Sequence, residues 1–179
     1  VSLLTLRILN PLSLSWGYLY IMSVLFIYLC GLGVEWLKMG SEEKKRVLAK
    51  YLGCEAEDIA EGYEWYGEYM TYELGDQEYL VLTDEEADEA VRLAIRETVW
   101  AFEAWFIIDH SALPYSAVEL IESFQAHQCE DANEAILAVI TDFDRFVKDA
   151  VCADGRGHFL SGYDGEEVEA GDYLIYRLN

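Results

Sequence analysis

An α+β fold is what the sequence predicts: two β-hairpins forming one antiparallel sheet packed against a helical block, with an apolar helix ahead of them. Three observations carry this. Runs rich in aromatic and β-branched residues flank Gly75-Asp76 and the acidic loop Asp164 to Asp172. Helical spacing with capping signals fills the segment between those runs. A chain of 179 residues is the length of one domain, too short for two ordinary cores.

In order along the chain, Ser41 is expected to cap a helix with Glu42 and Glu43 in its first turn, Val47, Leu48 and Leu52 on its apolar face and Gly53 at its end. After a polar segment with Glu55, Glu57, Asp58 and Glu61, Tyr63 to Leu74 and Glu78 to Leu82 read as strands joined at Gly75-Asp76. Thr83 and Glu86 have capping-box spacing. Apolar positions 90, 91, 94, 95, 99, 102, 105 and 106 then keep helical spacing, and the stripe Val91, Ile95, Val99, Phe102 and Phe106 reads as the central core helix up to the break at Pro114. Three shorter helices follow, capped by Ser116 with Glu119, by Asp131 with Glu134, and by Thr141 before Phe143, Phe146 and Val147, with Gly155 closing the last. His158 to Tyr163 and Tyr173 to Leu178 read as the second hairpin.

Charge divides the chain near Met39. Residues 1 to 38 carry only Arg7, Glu35 and Lys38, whereas residues 39 to 179 hold 33 acidic and 10 basic side chains, a balance of −23. Such a domain repels nucleic acid and anionic lipid and attracts basic proteins or cations, so direct binding to DNA or RNA is excluded as an expectation. The charge-free stretch Trp16 to Val34 has the length of a membrane-spanning helix, and the lysines and arginine after it would place the acidic domain in the cytoplasm. Val1 and the run Met39-Gly40-Ser41-Glu42-Glu43 support a second reading, preferred here, in which the leader is translated upstream sequence. Either way the acidic domain is expected to be cytoplasmic. Cys30, Cys54, Cys129 and Cys152 lack paired spacing and read as free thiols.

Chemistry-bearing motifs are sparse. His127, Cys129, Cys152 and His158 do not have zinc-ligand spacing. Asp84-Glu85-Glu86 and Asp142-Phe143-Asp144 fall in first helical turns, where acids serve the helix dipole. Gly155-Arg156-Gly157-His158 follows a helix instead of preceding one, so it reads as a turn and not a phosphate cradle. No catalytic residue, cofactor or metal is expected. What stands out is that residues 51 to 91 contain fourteen acids and no Lys or Arg, interleaved with Tyr63, Trp65, Tyr66, Tyr69, Tyr72 and Tyr79. Strand alternation would set carboxylates beside rings, a surface suited to a basic partner whose arginines stack on them. The plainer reading is a solvated acidic face with the rings turned inward.

The stretch from Arg156 to Glu167, RGHFLSGYDGEE, followed by Tyr173 to Asn179, YLIYRLN, resembles the ending of uncharacterised small acidic proteins of bacteriophages and mobile elements. Glu78 to Ala87 resembles their middle. The resemblance implies an accessory protein that binds host machinery, as small acidic phage inhibitors of restriction and CRISPR enzymes do. The expected function is therefore non-enzymatic: an acidic face that binds a basic surface on a nucleic-acid-handling protein, in the manner of a DNA mimic. Glu68, Glu73, Asp76, Glu78, Glu166 and Glu167 are the expected partner-binding residues. The alternatives are a membrane-anchored cytoplasmic module and a small enzyme with an unrecognised site.

Overall fold

The computed structural model describes residues 40–179, of which Lys44–Asn179 form one compact unit. The apolar leader, with the helix expected in it, lies outside the described residues. Among the described residues no helix is long and apolar enough to cross a membrane.

The fold is α+β, as the sequence predicts. Helix α1 (residues 40–52) is already helical at Gly40, so Ser41 lies within it instead of capping it. It ends at Gly53, whose φ of 73° suits a residue without Cβ. The stretch read as one strand from Tyr63 to Leu74 is two, β1 (Ala60–Trp65) and β2 (Tyr69–Leu74). Between them Tyr66 and Gly67 both have positive φ, at 49° and 74°. This sign pattern turns a hairpin tightly, and Glu68 N–H closes it by donating to Trp65 O at 3.1 Å. Gly75-Asp76 joins β2 to β3 (Gln77–Leu82), as expected, with Leu74 opposite Gln77.

The capping box forms at the start of α2 (Asp84–Thr98): Glu86 N–H donates to Thr83 Oγ1, and Thr83 N–H donates to Glu86 Oε2 at 2.8 Å. Thr83→Ala is expected to cost about 1 kcal/mol, read as a lowered denaturant midpoint. The apolar stripe does not continue as one helix. After a 3₁₀ turn at Val99–Ala101 the chain becomes extended at Phe102, and α3 (Ala104–Asp109) begins afresh. Side-chain amides from distant residues hold the break open. Asn133 Oδ1 accepts from Trp100 N–H, and Gln125 Nε2 donates to the carbonyls of Trp100 and Phe102. Those backbone groups are thereby satisfied outside a helix. Phe102 and Phe106 still turn toward the core, so the spacing survives the break.

Helices α4 (Val118–Gln128) and α5 (Asn133–Val139) have no side-chain caps; Ser116 and Asp131 sit in the 3₁₀ turns that precede them. For α6 (Phe143–Asp154) the cap is Asp142, which accepts from Arg145 N–H at 3.0 Å, while Thr141 Oγ1 donates to His110 O instead. Gly155 closes α6 at φ 80°.

The C-terminal hairpin differs from expectation. Residues read as a strand at His158 form helix α7 (Arg156–Leu160), and the hairpin is β4 (Val168–Ala170) with β5 (Tyr173–Arg177), turning at Gly171-Asp172. Helix α7 is held by close packing at Gly157, where an added Cβ would meet the backbone of Gly165 and Glu166. Only the tail of the expected strand lies beside β5: Tyr163 N–H donates to Arg177 O at 3.2 Å.

The strands form one antiparallel sheet in the order β1-β2-β3-β5-β4. Alternation sends Leu80, Leu82, Leu174 and Tyr176 into a core with α2 to α7, built on Val91, Ile95, Ile107, Ile136, Phe146 and Leu160. Tyr72, Tyr79, Val81 and Ile175 point the other way, onto Leu48 and Ala49 of α1 and onto Ile59. Both faces are thus covered, where the sequence suggests only one. The signal lay in β3, whose four residues from Tyr79 to Leu82 are all buried instead of alternating with polar ones.

Candidate acidic docking surface

Lys44, Lys45, Arg92, Arg145 and Arg156 are each tied to carboxylates within the fold. Lys44 Nζ reaches both oxygens of Glu86 at 2.9 and 2.7 Å, and Lys45 meets Glu61. Arg92 pairs with Asp144 and Glu89, and Arg145 with Asp149. Arg177 lies 3.6 Å from the Tyr163 ring centroid.

Arg156 meets more carboxylates than any other of these cations, and 17% of its side chain is exposed. Its Nε and Nη2 grip Glu167 in a two-pronged pair at 3.0 and 3.1 Å, and Nη1 donates to Asp84 at 2.8 Å and Asp88 at 2.9 Å. Burial disfavours its charge, but the hydrogen bonds it donates to Glu167 and Asp84 outweigh that and raise its pKa. Tyr176 donates its hydroxyl to the same Glu167 carboxylate, and burial first, then that carboxylate, push the phenol pKa up. The guanidinium therefore joins α7, the N-terminus of α2, β5 and the chain entering β4.

The expected partner-binding residues separate accordingly. Glu73 and Glu78 stand directly opposite each other on β2 and β3, and Asp76 lies in the turn that joins those strands. Tyr63, half exposed at 50%, belongs to the same group. Its phenol pKa is raised by burial first and then by Glu78, whose carboxylate accepts its hydrogen bond, and by Glu73. None of Glu73, Asp76 and Glu78 is in an ion pair among the described residues. Glu68 sits at the opposite end of β2, in the β1–β2 turn. Glu166 lines a separate open cavity of about 340 Å³ with Tyr51, Tyr79 and Arg177. Glu167 is engaged inside the fold by Arg156 and Tyr176 and offers a partner little.

Gly62 shapes the edge beside Tyr63. The register of β1 shifts between Glu61 and Glu64, and an added Cβ at Gly62 would collide with Thr71 Oγ1 and the Glu73 side chain. Buried Thr71 donates to Tyr63 O at 3.0 Å and so fixes the bulge.

Sequence reasoning missed a second polar link. His110, buried between Phe106 and Phe146, directs Nε2 to Asp149 Oδ2 at 3.0 Å and Nδ1 to Phe106 O at 2.9 Å. The hydrogen bond from His110 holds the Asp149 carboxyl below its ordinary pKa. A lowered folded-state value contributes stability that is present above the ordinary carboxylate range and lost as pH falls through the lowered value. Acid unfolding of Asp149→Asn is accordingly expected to lose that part of the pH dependence, checked by comparing its stability profile with that of the wild type below neutral pH.

The other sequence candidates have local roles. Asp84 meets Arg156, Glu86 completes the capping box, Asp142 caps α6, and His127 Nδ1 lies against Ser123 O at 2.6 Å. Among the described residues, no group of three or more His, Cys, Asp or Glu side chains is placed to hold a metal ion. Cys54, Cys129 and Cys152 are free.

Fold and surface together define an acidic α+β protein with a carboxylate-rich hairpin end and an Arg156-centred ion-pair cluster inside the fold. No protein-family model, no curated protein and no solved structure matches the chain.

Proposed function

We propose that the protein acts by binding and not by catalysis, as a cytoplasmic accessory protein of the phage or mobile-element kind that its C-terminal pattern resembles. Its acidic surface docks on a basic face of a nucleic-acid-handling protein, occupying the place of DNA. The observation that carries this reading is Glu73 facing Glu78 across β2 and β3, with Asp76 in the adjoining turn and the half-exposed Tyr63 ring beside them. Like charges directly opposite on a sheet are destabilising. A guanidinium or ammonium from a partner relieves that repulsion and is attracted to the face of the ring. Duplex DNA carries about one negative charge per 1.7 Å of axis, so a groove evolved for it attracts a protein of net charge −22.

The test uses the full chain as bait in nuclease-treated bacterial lysate, beside the triple variant Glu73→Lys, Asp76→Lys, Glu78→Lys. A nucleic-acid-handling protein retained at low salt, released at high salt and displaced by added duplex DNA supports the reading. For that partner, the triple variant is expected to associate about 10-fold or more slowly, with a flatter salt dependence, in stopped-flow mixing. Equal association rates for the two baits would falsify the placement of the surface, and a captured partner indifferent to DNA would remove mimicry.

A further inference from the structure

At the other end of β1, Tyr66 takes a costly turn position while its ring stays half exposed. Its φ of 49° is a left-handed conformation in which Gly, Asn and Asp are favoured, yet 46% of the residue stays exposed. One side of its ring meets Trp65 edge-on at 4.4 Å. Tyr66 also lines an open groove of about 400 Å³ with Thr98, Phe102, Glu103, Asp154 and Phe159. Phe102 and Phe159 are stacked within its wall, 6.0 Å apart at 14°. His158 is the remaining titratable group of the lining; it is exposed, with its ring against Phe159.

The charge around these rings has one sign apart from that histidine. Glu103 and Asp154 line the groove, and Glu97 is close enough to help burial raise the Tyr66 phenol pKa. None of the three carboxylates is in an ion pair among the described residues. Aromatic faces bordered by unpaired carboxylates complement a planar cation, which stacks on one and is hydrogen-bonded by the other. Strained residues cluster at ligand contacts, and here the strained turn residue carries a half-exposed ring.

We propose that this groove receives an arginine side chain of the basic partner, its guanidinium stacked on Tyr66 and paired with Glu103 and Asp154. The proposal rests on the binding function above and adds a second, shaped anchor to the acidic hairpin end. The geometry distinguishes arginine from lysine, because an ammonium offers neither a plane to stack nor a fork to pair.

The test titrates the full chain with a short peptide of alternating glycine and arginine, and with its citrulline counterpart, which keeps the shape and loses the charge. Calorimetry gives the affinity and amide chemical shifts locate the site. The arginine peptide is expected to bind at low salt and to shift Tyr66, Gly67, Phe102 and Glu103, with the citrulline peptide about 10-fold or more weaker. Tyr66→Asn keeps the turn, since asparagine accepts this φ, and is expected to melt no lower than the wild type while binding the arginine peptide about 10-fold more weakly. Glu103→Gln with Asp154→Asn is expected to weaken binding by a similar factor. Unchanged affinity in Tyr66→Asn, equal binding of citrulline, or shifts confined to the Glu73–Glu78 hairpin overturn the groove and leave the acidic docking surface standing. No binding of the arginine peptide at low salt overturns both.

Discussion

Arg156→Met is expected to lower the unfolding free energy by about 3 kcal/mol, the cost of breaking an enclosed ion pair by removing one partner. Methionine keeps most of the aliphatic volume, so the loss is chiefly electrostatic. It is concentrated at Glu167, whose side chain is only 26% exposed and which would keep the Tyr176 hydroxyl as a partner but lose its counter-ion. Asp84 and Asp88 are well exposed and return to water at little cost. Arg156→Lys restores the charge but not the two-pronged grip on Glu167 and is expected to recover less than half of the loss. Urea unfolding of the three proteins checks this, and equal midpoints would show that the guanidinium contributes nothing net.

Phe146→Ala is expected to cost about 3–5 kcal/mol. Phe146 is fully buried and is the ring on which an aromatic nest converges, with Phe102 at 4.9 Å, Phe106 at 4.8 Å, His110 at 5.1 Å and Phe143 at 6.1 Å. Rings already locked against each other collapse poorly into a void, which places the cost toward the upper end of that range. Phe146→Leu is expected to retain most of the stability, because it leaves a smaller cavity. Because the ring packs against His110, its loss couples to the Asp149 link, and the Phe146→Ala, Asp149→Asn double variant is expected to lose less than the sum of the single losses. Chemical denaturation of the four proteins measures that coupling, and additive losses would separate the nest from the polar link.

What the sequence disclosed was whatever is decided within a few residues. The Thr83 capping box, the Gly75-Asp76 hairpin and the stop at Gly155 each depend on neighbours one to three positions away, and each forms. The break at Phe102 depends on Gln125 and Asn133, and the helical course of residues 156–160 on Gly165, Glu166 and Glu167, so neither appears in a local pattern. Three of the expected contact residues, Glu73, Asp76 and Glu78, were legible as a group because a tight turn sets the register of the strands around it. Glu167 was not distinguishable from Glu166 by type or spacing. Its capture by Arg156 follows from α7, which brings the guanidinium to it. Tyr66 was visible as an aromatic residue among acids, but its left-handed backbone required the turn itself.

The place of β5 between β3 and β4 bears on how the chain is made. A ribosome adding roughly 5–20 residues per second takes on the order of 5 to 20 s to advance from Leu82 to Tyr173. For an interval of that length β3, once outside the ribosome, has one hydrogen-bonding edge unfilled, and an open edge invites pairing with another nascent chain on the same messenger. By then residues 51 to 91, with fourteen acids and no lysine or arginine, have also been made. Their mutual repulsion holds neighbouring unfinished chains apart. The carboxylates proposed to meet a partner in the finished protein thus carry a charge that also opposes edge-to-edge association during synthesis.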